Sequence, residues 1–279
     1  MRRYRLMRGL RYSRLGERRL FYEREFSWRP VARWFGRERD LDNTSFAVVI
    51  GRHSHVFAKK FAGSEKGALV IDDYSSLAEV KKKFAFFMPE GVYYDRNYYL
   101  DRAGCEKCTV NGKMRHLESC DNWLGQELAF DLDPENVECP AHGGLEEKMR
   151  EHQTMGFCKW EFEEVEKQAG ELWKLLSQRF RRVRVTYSGR GFHLHVFDYG
   201  VRRWGRSERK RLAKEYEDDY GIDDWITSGE MRLMRLPYSL HGMVSRIAVP
   251  LDQQELAGFN PLTDKTCIPR FLHQSEKKK

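Results

Sequence analysis

Residues 127–133 read Glu-Leu-Ala-Phe-Asp-Leu-Asp, a run in which large apolar residues alternate with acidic or small ones. This alternation predicts a β-strand, because successive side chains of a strand point to opposite faces. Asp131 and Asp133 then leave the same face, with their Cβ atoms roughly 7 Å apart. Two such carboxylates indicate a site for Mg²⁺ or Mn²⁺, which prefer oxygen ligands. The alternative is a solvated pair at the end of a strand.

Residues 187–198 read Tyr-Ser-Gly-Arg-Gly-Phe-His-Leu-His-Val-Phe-Asp and predict a hairpin. Its two strands and its tight turn are expected at residues 183–187, 192–197 and 188–191. The glycines let the backbone approach a ligand, while Ser188 and Arg190 offer a hydroxyl and a positive charge to a phosphate. His193 and His195 share one face of the returning strand. The alternative is a plain glycine hairpin with partly exposed histidines.

The other periodic stretches place helices and strands in mixed order. Short buried strands are predicted at 46–50 and 68–72, and helices at 1–26 (one or two), 158–180 and 206–220. Residues 91–122 are polar and predict a loop or insert that carries cysteines. The expected fold class is α+β (mixed α/β), in a single main domain spanning residues 1–279.

Composition narrows the class of protein. The 279 residues are 41% hydrophobic, 33% charged and 13% aromatic, which is typical of a globular chain and not of a disordered one. No uninterrupted apolar run exceeds about five residues, whereas a membrane helix needs roughly 20. The N-terminal charges are not followed by the apolar segment of a secretory signal. We therefore expect a soluble intracellular protein with no membrane partner.

The positive charge is concentrated at the N-terminus. Residues 1–39 hold 13 arginines and four glutamates, so they carry more than the whole net charge of +8. Such asymmetry indicates contact with a polyanion, and a solvated basic helix is the alternative. Aromatic residues lie among the arginines, and they could stack on bases or form a first core helix. These residues are Tyr4, Tyr12, Phe21, Tyr22, Trp28 and Trp34.

Five of the six cysteines lie between residues 105 and 158, and in an intracellular chain this clustering indicates metal. One candidate zinc set has knuckle-like spacing and comprises Cys105, Cys108, His116 and Cys120. The second set comprises Cys139, His142, His152 and Cys158. The alternatives are reduced thiols in a surface loop, or one site that mixes both sets. Cys267 stands apart and is interpreted as a small buried hydrophobe.

Taken in order, the motifs resemble those of the catalytic (small) subunit of archaeal and eukaryotic DNA primases, within the archaeo-eukaryotic primase superfamily. The resemblance rests on Arg24-Glu25-Phe26, on residues 127–133 and 187–198, on RLPYSLHG at 235–242, and on FNPLTDKTCIPRF at 259–271. It covers most of the chain. Several motifs in matching order are far more specific than any one of them.

The resemblance implies roles for individual residues. Asp131 and Asp133 match the family's first two metal-binding aspartates, and Asp223 matches the third by its spacing, with Asp224 as the fallback. Contacts to the incoming nucleotide are implied for Arg24, Ser188, Arg190, His193, Arg235 and His241. Cys139, His142 and Cys158 fall where the family carries a structural zinc.

The chain departs from the family pattern in two places. Only about 25 residues separate Asp198 from Asp223, so the resemblance implies the catalytic fold without the large helical insertion of many relatives. The cysteines at 105–120 lie in an unusual insert, so residues 100–160 are expected to hold one or two zinc-binding inserts beside the aspartate strand.

The implied activity is template-directed primer synthesis from nucleoside triphosphates, with catalytic Mg²⁺ or Mn²⁺ and structural Zn²⁺. The implied partners are single-stranded DNA, NTPs or dNTPs, and a separate large subunit; the implied location is the cytoplasm or nucleoid. One alternative is a primase-polymerase or repair polymerase that extends existing ends. Another is a non-catalytic zinc-containing subunit that binds nucleic acid.

Overall fold

Two four-stranded antiparallel sheets organise the fold, which we describe from a computed structural model. The structure describes residues 6–64, 67–102, 109–110, 113–114, 120–150 and 156–276. Its helices are α1 Leu15–Arg24, α2 Trp28–Phe35, α3 Leu77–Phe87, α4 Leu145–Arg150, α5 Lys159–Arg179, α6 Arg206–Lys214, α7 Asp224–Thr227, α8 Gln253–Leu256 and α9 Arg270–Glu276.

The strands fall into these two sheets and three short pairs. They are β1 Phe46–Val49, β2 Ala68–Ile71, β3 Gly91–Asp95, β4 Asn97–Tyr99, β5 Thr109–Val110, β6 Lys113–Met114, β7 Trp123–Gln126, β8 Leu128–Leu132, β9 Val183–Tyr187, β10 Phe192–Val196, β11 Leu233–Arg235, β12 Leu240–His241, β13 Arg246–Ile247 and β14 Val249–Leu251. The first sheet has the order β11-β3-β1-β2, and the second has β14-β9-β10-β8. The mixed α/β class predicted from the sequence is therefore confirmed.

The second sheet contains both sequence motifs that were singled out. Strands β8 and β10 pair so that His193 lies opposite Asp131, and β9 and β10 form the predicted hairpin. Helix α5 covers the apolar face of this sheet, where the ring of Phe162 lies 5.6 Å from that of Phe192. The opposite face carries the histidines and looks toward the first sheet, since Oη of Tyr94 on β3 lies 3.4 Å from Nδ1 of His195.

The first sheet corrects two predictions. Residues 91–99 form strands and not a loop, and β3 pairs with both β1 and β11. Val92 and Tyr94 alternate along β3 and are fully buried. This period of two was not evident in the sequence, because adjacent positions are tyrosines. Strand β2 was predicted to be buried, but it lies at the sheet edge and Val70 is exposed.

The basic N-terminal segment is part of the core. Met7 and Leu10 are buried, and the rings of Tyr22 and Phe26 pack against Phe84 of α3 at 5.6 and 5.8 Å. Base stacking by these buried aromatics is therefore excluded; the same holds for Phe21 and Trp34, whereas Tyr12 is exposed. Tyr4 lies outside the described residues.

Between β10 and Asp223 the chain has one short helix, α6, which ends at Lys214 and not at residue 220 as predicted. A single 3₁₀ turn, Tyr199–Arg203, precedes it, in keeping with the short spacing read from the sequence. None of the described helices combines the length and apolar character that a bilayer span requires.

Candidate active site

The paired aspartates lie at the end of β8, where the hairpin turn covers them. A Cβ atom at Gly191 would lie 1.9 Å from the carbonyl oxygen of Leu132, so only glycine allows this approach. Burial and the negative charge of Asp131 raise the pKa of Asp133 well above its usual value. Burial by itself would raise the pKa of Asp131 as well. The nearby His193, whose Nε2 lies 3.3 Å from Oδ1 of Asp131, has the larger effect, so the net pKa is lowered.

The third aspartate reaches the same place from another part of the chain. The backbone N–H of Asp223 donates to the carbonyl oxygen of Asp131 over 2.8 Å, and Ile222 forms an isolated β-bridge with Leu132. The Asp223 side chain caps α7 by accepting from the backbone N–H of Trp225 over 3.0 Å. Burial and the charge of Asp131 raise its pKa to about 6. The fallback residue, Asp224, is exposed.

The hairpin turn is tightly packed and is closed by its own hydrogen bonds. Gly189 has a φ of +108°, and a Cβ there would lie 2.4 Å from Cβ of His241. The Ser188 hydroxyl accepts from the backbone N–H of Gly191 over 3.1 Å, which closes the turn. Arg190 is buried, and its Nη2 donates to Oε2 of Glu135 over 2.6 Å.

These groups line one cavity of about 200 Å³. Its lining comprises His53, Glu90, Tyr93, Asp131, Asp133, Glu135, Ser188, Arg190, His193, Leu233, Met234, Arg235, His241 and Met243. Five of the six residues assigned to the nucleotide are among them, together with the first two aspartates. Asp223 lies beside the cavity and not in its lining.

Several buried nitrogen atoms in this cavity lack a protein partner. Nη1 of Arg235, Nδ1 of His193 and Nδ1 of His241 accept or donate no hydrogen bond within the described part of the chain. The other end of the Arg235 guanidinium, Nη2, donates to Oη of Tyr93 over 2.9 Å. Burial and the charge of Arg235 keep the pKa of His241 well below its usual value, so this imidazole is neutral. Unsatisfied buried donors of this kind indicate a bound polar ligand.

Arg24 is the predicted nucleotide contact that the structure does not bring to the cavity. It is exposed at the end of α1 and is absent from the cavity lining. The buried arginine of α1 is Arg18, whose Nη1 donates to the carbonyl oxygens of Ile50 and Val56 over 3.1 and 3.0 Å.

The sequence analysis missed four polar lining residues, His53, Glu90, Tyr93 and Glu135, as well as the apolar Leu233, Met234 and Met243. Glu90 holds the loop that carries His53, because its carboxylate accepts from the backbone N–H groups of His53 and Ser54 over 3.0 and 2.9 Å. The sequence pattern could have identified Glu135, since this residue continues the alternation of Asp131 and Asp133. The other three polar residues depend on contacts that no local pattern reveals.

A second candidate site gathers Cys139, His142, Cys158 and Glu161, whose ligand atoms all lie within 4.8 Å of one another. Sγ of Cys139 lies 3.2 Å from Nδ1 of His142 and 3.9 Å from Sγ of Cys158. Thiols and imidazole are zinc ligands, so the donor set fits that metal. Glu161 was not predicted; its Oε1 lies 2.7 Å from Nζ of Lys148.

The other predicted zinc ligands are not tested by these contacts. His152, Cys105, Cys108 and His116 lie outside the described residues. Cys120 is described and is disulfide-bonded in the structure, so its sulfur is not a free thiolate there. Zinc binding by the 105–120 set stays a prediction. Cys267 is fully buried, as expected.

Comparison with known proteins adds the family. No protein-family model matches the chain. It is 46% identical over 276 residues to an uncharacterized DNA primase small subunit-like protein from Archaeoglobus fulgidus, covering 99% of this chain and 96% of that one. It is 28% identical over 225 residues to the DNA primase small subunit PriS of Pyrobaculum islandicum, covering 66% of each.

The similar solved structures include the polymerase domain of Mycobacterium tuberculosis Ligase D in complex with DNA. It is 14% identical, and the match covers 85% of this chain and 81% of that one with a TM-score of 0.44, a value too low to establish a shared fold. The full-length match to the Archaeoglobus protein does establish the family. The chain belongs to the DNA primase small subunits and proteins like them, a family of nucleotidyltransferases.

Proposed function

We propose that this protein is a DNA primase, which joins nucleoside triphosphates on a single-stranded DNA template and starts the primer without an existing end. The observation that carries the proposal is the cavity itself. Its lining combines the carboxylates of Asp131 and Asp133 with buried arginines and imidazoles. The family membership supports the same class of reaction.

The three aspartates fit divalent metal ions. Burial and the negative charge of Asp131 raise the pKa values of Asp133 and Asp223, so a bound cation would relieve the repulsion between these carboxylates. Asp131, Asp133 and Asp223 would hold Mg²⁺ or Mn²⁺, since carboxylate oxygens are the preferred ligands of both. Bound there, two such ions would lower the pKa of the attacking 3′-hydroxyl and stabilise the pyrophosphate leaving group.

The chain's own residues bind and orient the triphosphate. Arg190 and Arg235 neutralise its charge from buried positions, where a charge-assisted hydrogen bond is stronger than in water. His193 and the neutral His241 offer ring N–H groups to phosphate oxygens. The bond that forms joins the 3′-oxygen to the α-phosphorus, and the bond that breaks releases pyrophosphate.

We propose a structural zinc at Cys139, His142 and Cys158. Glu161 is close enough to be the fourth ligand, but its carboxylate already pairs with Lys148 and accepts from the backbone N–H of Cys158 over 2.6 Å. We therefore keep His152 as the fourth ligand implied by the sequence. Such a zinc would join the loop after β8 to the start of α5.

A primer-synthesis assay tests the main proposal. The protein is incubated with Mg²⁺ or Mn²⁺, labelled NTPs or dNTPs, and either single-stranded template alone or template with an annealed primer. Wild type should make products on template alone, and Asp131→Asn and Asp133→Asn should make none. Asp218→Asn is the control, because Asp218 is exposed and is absent from the cavity lining. Asp133→Asn should keep or exceed wild-type thermal stability, because it removes a charge that burial and Asp131 disfavour. Asp131→Asn gives up the contact with His193 but should still fold.

The same assay separates the alternatives. Products only with the annealed primer would replace de novo priming by extension of existing ends. No products under any condition, with template binding intact, would indicate a non-catalytic binding subunit. The carboxylate cluster argues against the last outcome, since buried negative charge weakens binding to DNA phosphates.

A further inference from the structure

The cavity contains an ion pair that the proposed reaction does not use. Nη2 of Arg190 donates to Oε2 of Glu135 over 2.6 Å, and both residues line the cavity. The Arg190 side chain is 5% exposed and that of Glu135 is 25% exposed. The arginine assigned to the triphosphate therefore already has an anionic partner that can reach solvent.

The backbone of Arg190 is fixed beside the cavity, because its turn is held on both sides. Gly189 packs against His241, and Gly191 packs against the carbonyl oxygen of Leu132, at distances that admit no side chain. Any ligand that uses this guanidinium must come to it.

The backbone of Glu135 is held as well. Nζ of the buried Lys148 donates to the carbonyl oxygens of Pro134, Glu135 and Val137 over 3.1, 3.3 and 2.8 Å. Lys148 is itself paired with Glu161 at the start of α5. With both backbones held, the more exposed side chain, that of Glu135, is the part of this pair that can turn toward solvent.

We propose that Glu135 competes with the triphosphate of the incoming nucleotide for Arg190 and thereby sets the nucleotide affinity of the site, an inference that rests on the proposed function. A triphosphate on Arg190 places several negative oxygens beside the Glu135 carboxylate, and like charges at this distance repel. Glu135 then rotates toward solvent, and the energy of the broken ion pair is subtracted from the energy of nucleotide binding.

A different role for Glu135 predicts the opposite sign. If its carboxylate held a divalent ion together with Asp131 and Asp133, its removal would weaken binding of the metal–nucleotide complex. If it competes for Arg190, its removal strengthens binding. The direction of the change in affinity decides between the two roles.

The test compares Glu135→Gln with wild type by titration of a fluorescent nucleoside triphosphate in the presence of Mg²⁺. Apparent affinity falls in proportion to the fraction of sites that can bind, so a site with Arg190 paired about 90% of the time gains about tenfold in affinity. Glu138→Gln is the matched control: Glu138 is exposed in the same loop, and its affinity should equal that of wild type. An unchanged or weaker affinity in Glu135→Gln would overturn the proposal.

A double variant tests whether the effect passes through Arg190. In an Arg190→Gln background, Glu135→Gln should no longer change the affinity; an equal gain there would show general repulsion and overturn the proposal. Two further measurements, the binding of inorganic triphosphate and the incorporation of nucleotides, distinguish failure of the competition from failure of the proposed function. Tighter triphosphate binding by Glu135→Gln, with no incorporation by wild type, would refute only the proposed function. Normal incorporation with no gain in affinity would refute only the competition.

Discussion

His195 donates a hydrogen bond from Nδ1 to Oε1 of Glu127 over 2.8 Å, and both side chains are completely buried. Burial lowers the pKa of His195, so the ring is neutral and its Nε2 accepts from the Thr186 hydroxyl over 3.1 Å. Two residues back along β10, Nε2 of His193 lies 3.3 Å from Oδ1 of Asp131, the acidic residue four positions after Glu127. The strand pair thus repeats a histidine–acid contact, once inside the core and once at the cavity.

Glu127→Gln should destabilise the protein by about 3–5 kcal/mol, the usual cost of removing one partner from a buried ion pair. The partner left without a counter-charge is Arg39, whose Nη2 lies 3.1 Å from the Glu127 carboxylate. Urea unfolding at pH 7 measures the difference. Glu163→Gln, which breaks an exposed pair with Lys159, is the control and should cost less than about 1 kcal/mol. A loss as small as the control's would show that the buried pair is not stabilising.

The stabilisation by Glu127 should disappear in acid. Burial by itself would raise the pKa of this carboxyl. His195 and Arg39 have the larger effect and hold the pKa at about 2, below the usual 4.5. Because the folded protein then binds fewer protons than the unfolded chain, the stabilisation is complete above pH 4.5 and is lost as the pH falls toward 2. Unfolding of wild type and Glu127→Gln between pH 7 and pH 2.5 should converge. A constant gap would contradict the lowered pKa.

Asp223→Asn should lower the rate of primer synthesis about a hundredfold or more, while Asp224→Asn should leave the rate near that of wild type. The two residues are adjacent, but Asp223 lies against the strand that carries Asp131, whereas Asp224 is exposed. Asparagine also caps helices, so α7 should stay intact in the first variant. Incorporation rates at saturating template measure the effect. Equal loss in both variants would remove Asp223 from its assigned role.

Zinc should be found by elemental analysis of protein purified without added metal, at one or two ions per chain. Cys139→Ser and Cys158→Ser should each lower the melting temperature by more than about 10 °C, because structural zinc supplies folding free energy. Cys267→Ser, at a buried cysteine that is not among the clustered ligands, should retain the metal. A zinc content near zero would show that these sulfurs are ordinary thiols.

Deletion of residues 1–13 should destabilise the protein, because Met7 and Leu10 are buried and Ser13 bonds to the carbonyl oxygen of Gly242 over 2.7 Å. Thermal unfolding measures this loss. The contribution of charge to template binding is tested separately by changing three exposed arginines to glutamine: Arg8, Arg14 and Arg19.

The triple arginine variant should bind single-stranded DNA more weakly and with a flatter salt dependence. Each phosphate contact contributes a slope of about −0.7 to log K against log salt, so three contacts should change the slope by about 2. Turnover at saturating template should stay near wild type. An unchanged slope would show that these charges do not contact the template.

The sequence by itself determined three of the four strands of the second sheet, β8, β9 and β10, but not β14. The alternation at 127–133 and the glycine turn at 188–191 each specify local structure within a few residues. The structure confirms strand β8 and the hairpin formed by β9 and β10. Helix α5 was equally clear, since Phe162, Val165, Ala169, Leu172 and Leu176 repeat at helical spacing and are buried.

Tertiary structure alone decided which charged residues face the cavity and which stabilise the core. Arg24 and Arg18 are both arginines of α1, but only burial beneath the loop at 50–56 makes the second one structural. Glu127 and Asp131 share one strand face, yet one meets Arg39 in the core and the other meets the cavity. The sequence pattern sets the face of a strand on which a side chain lies, but contacts between residues far apart in the chain set what covers that face, and therefore its charge and its chemistry.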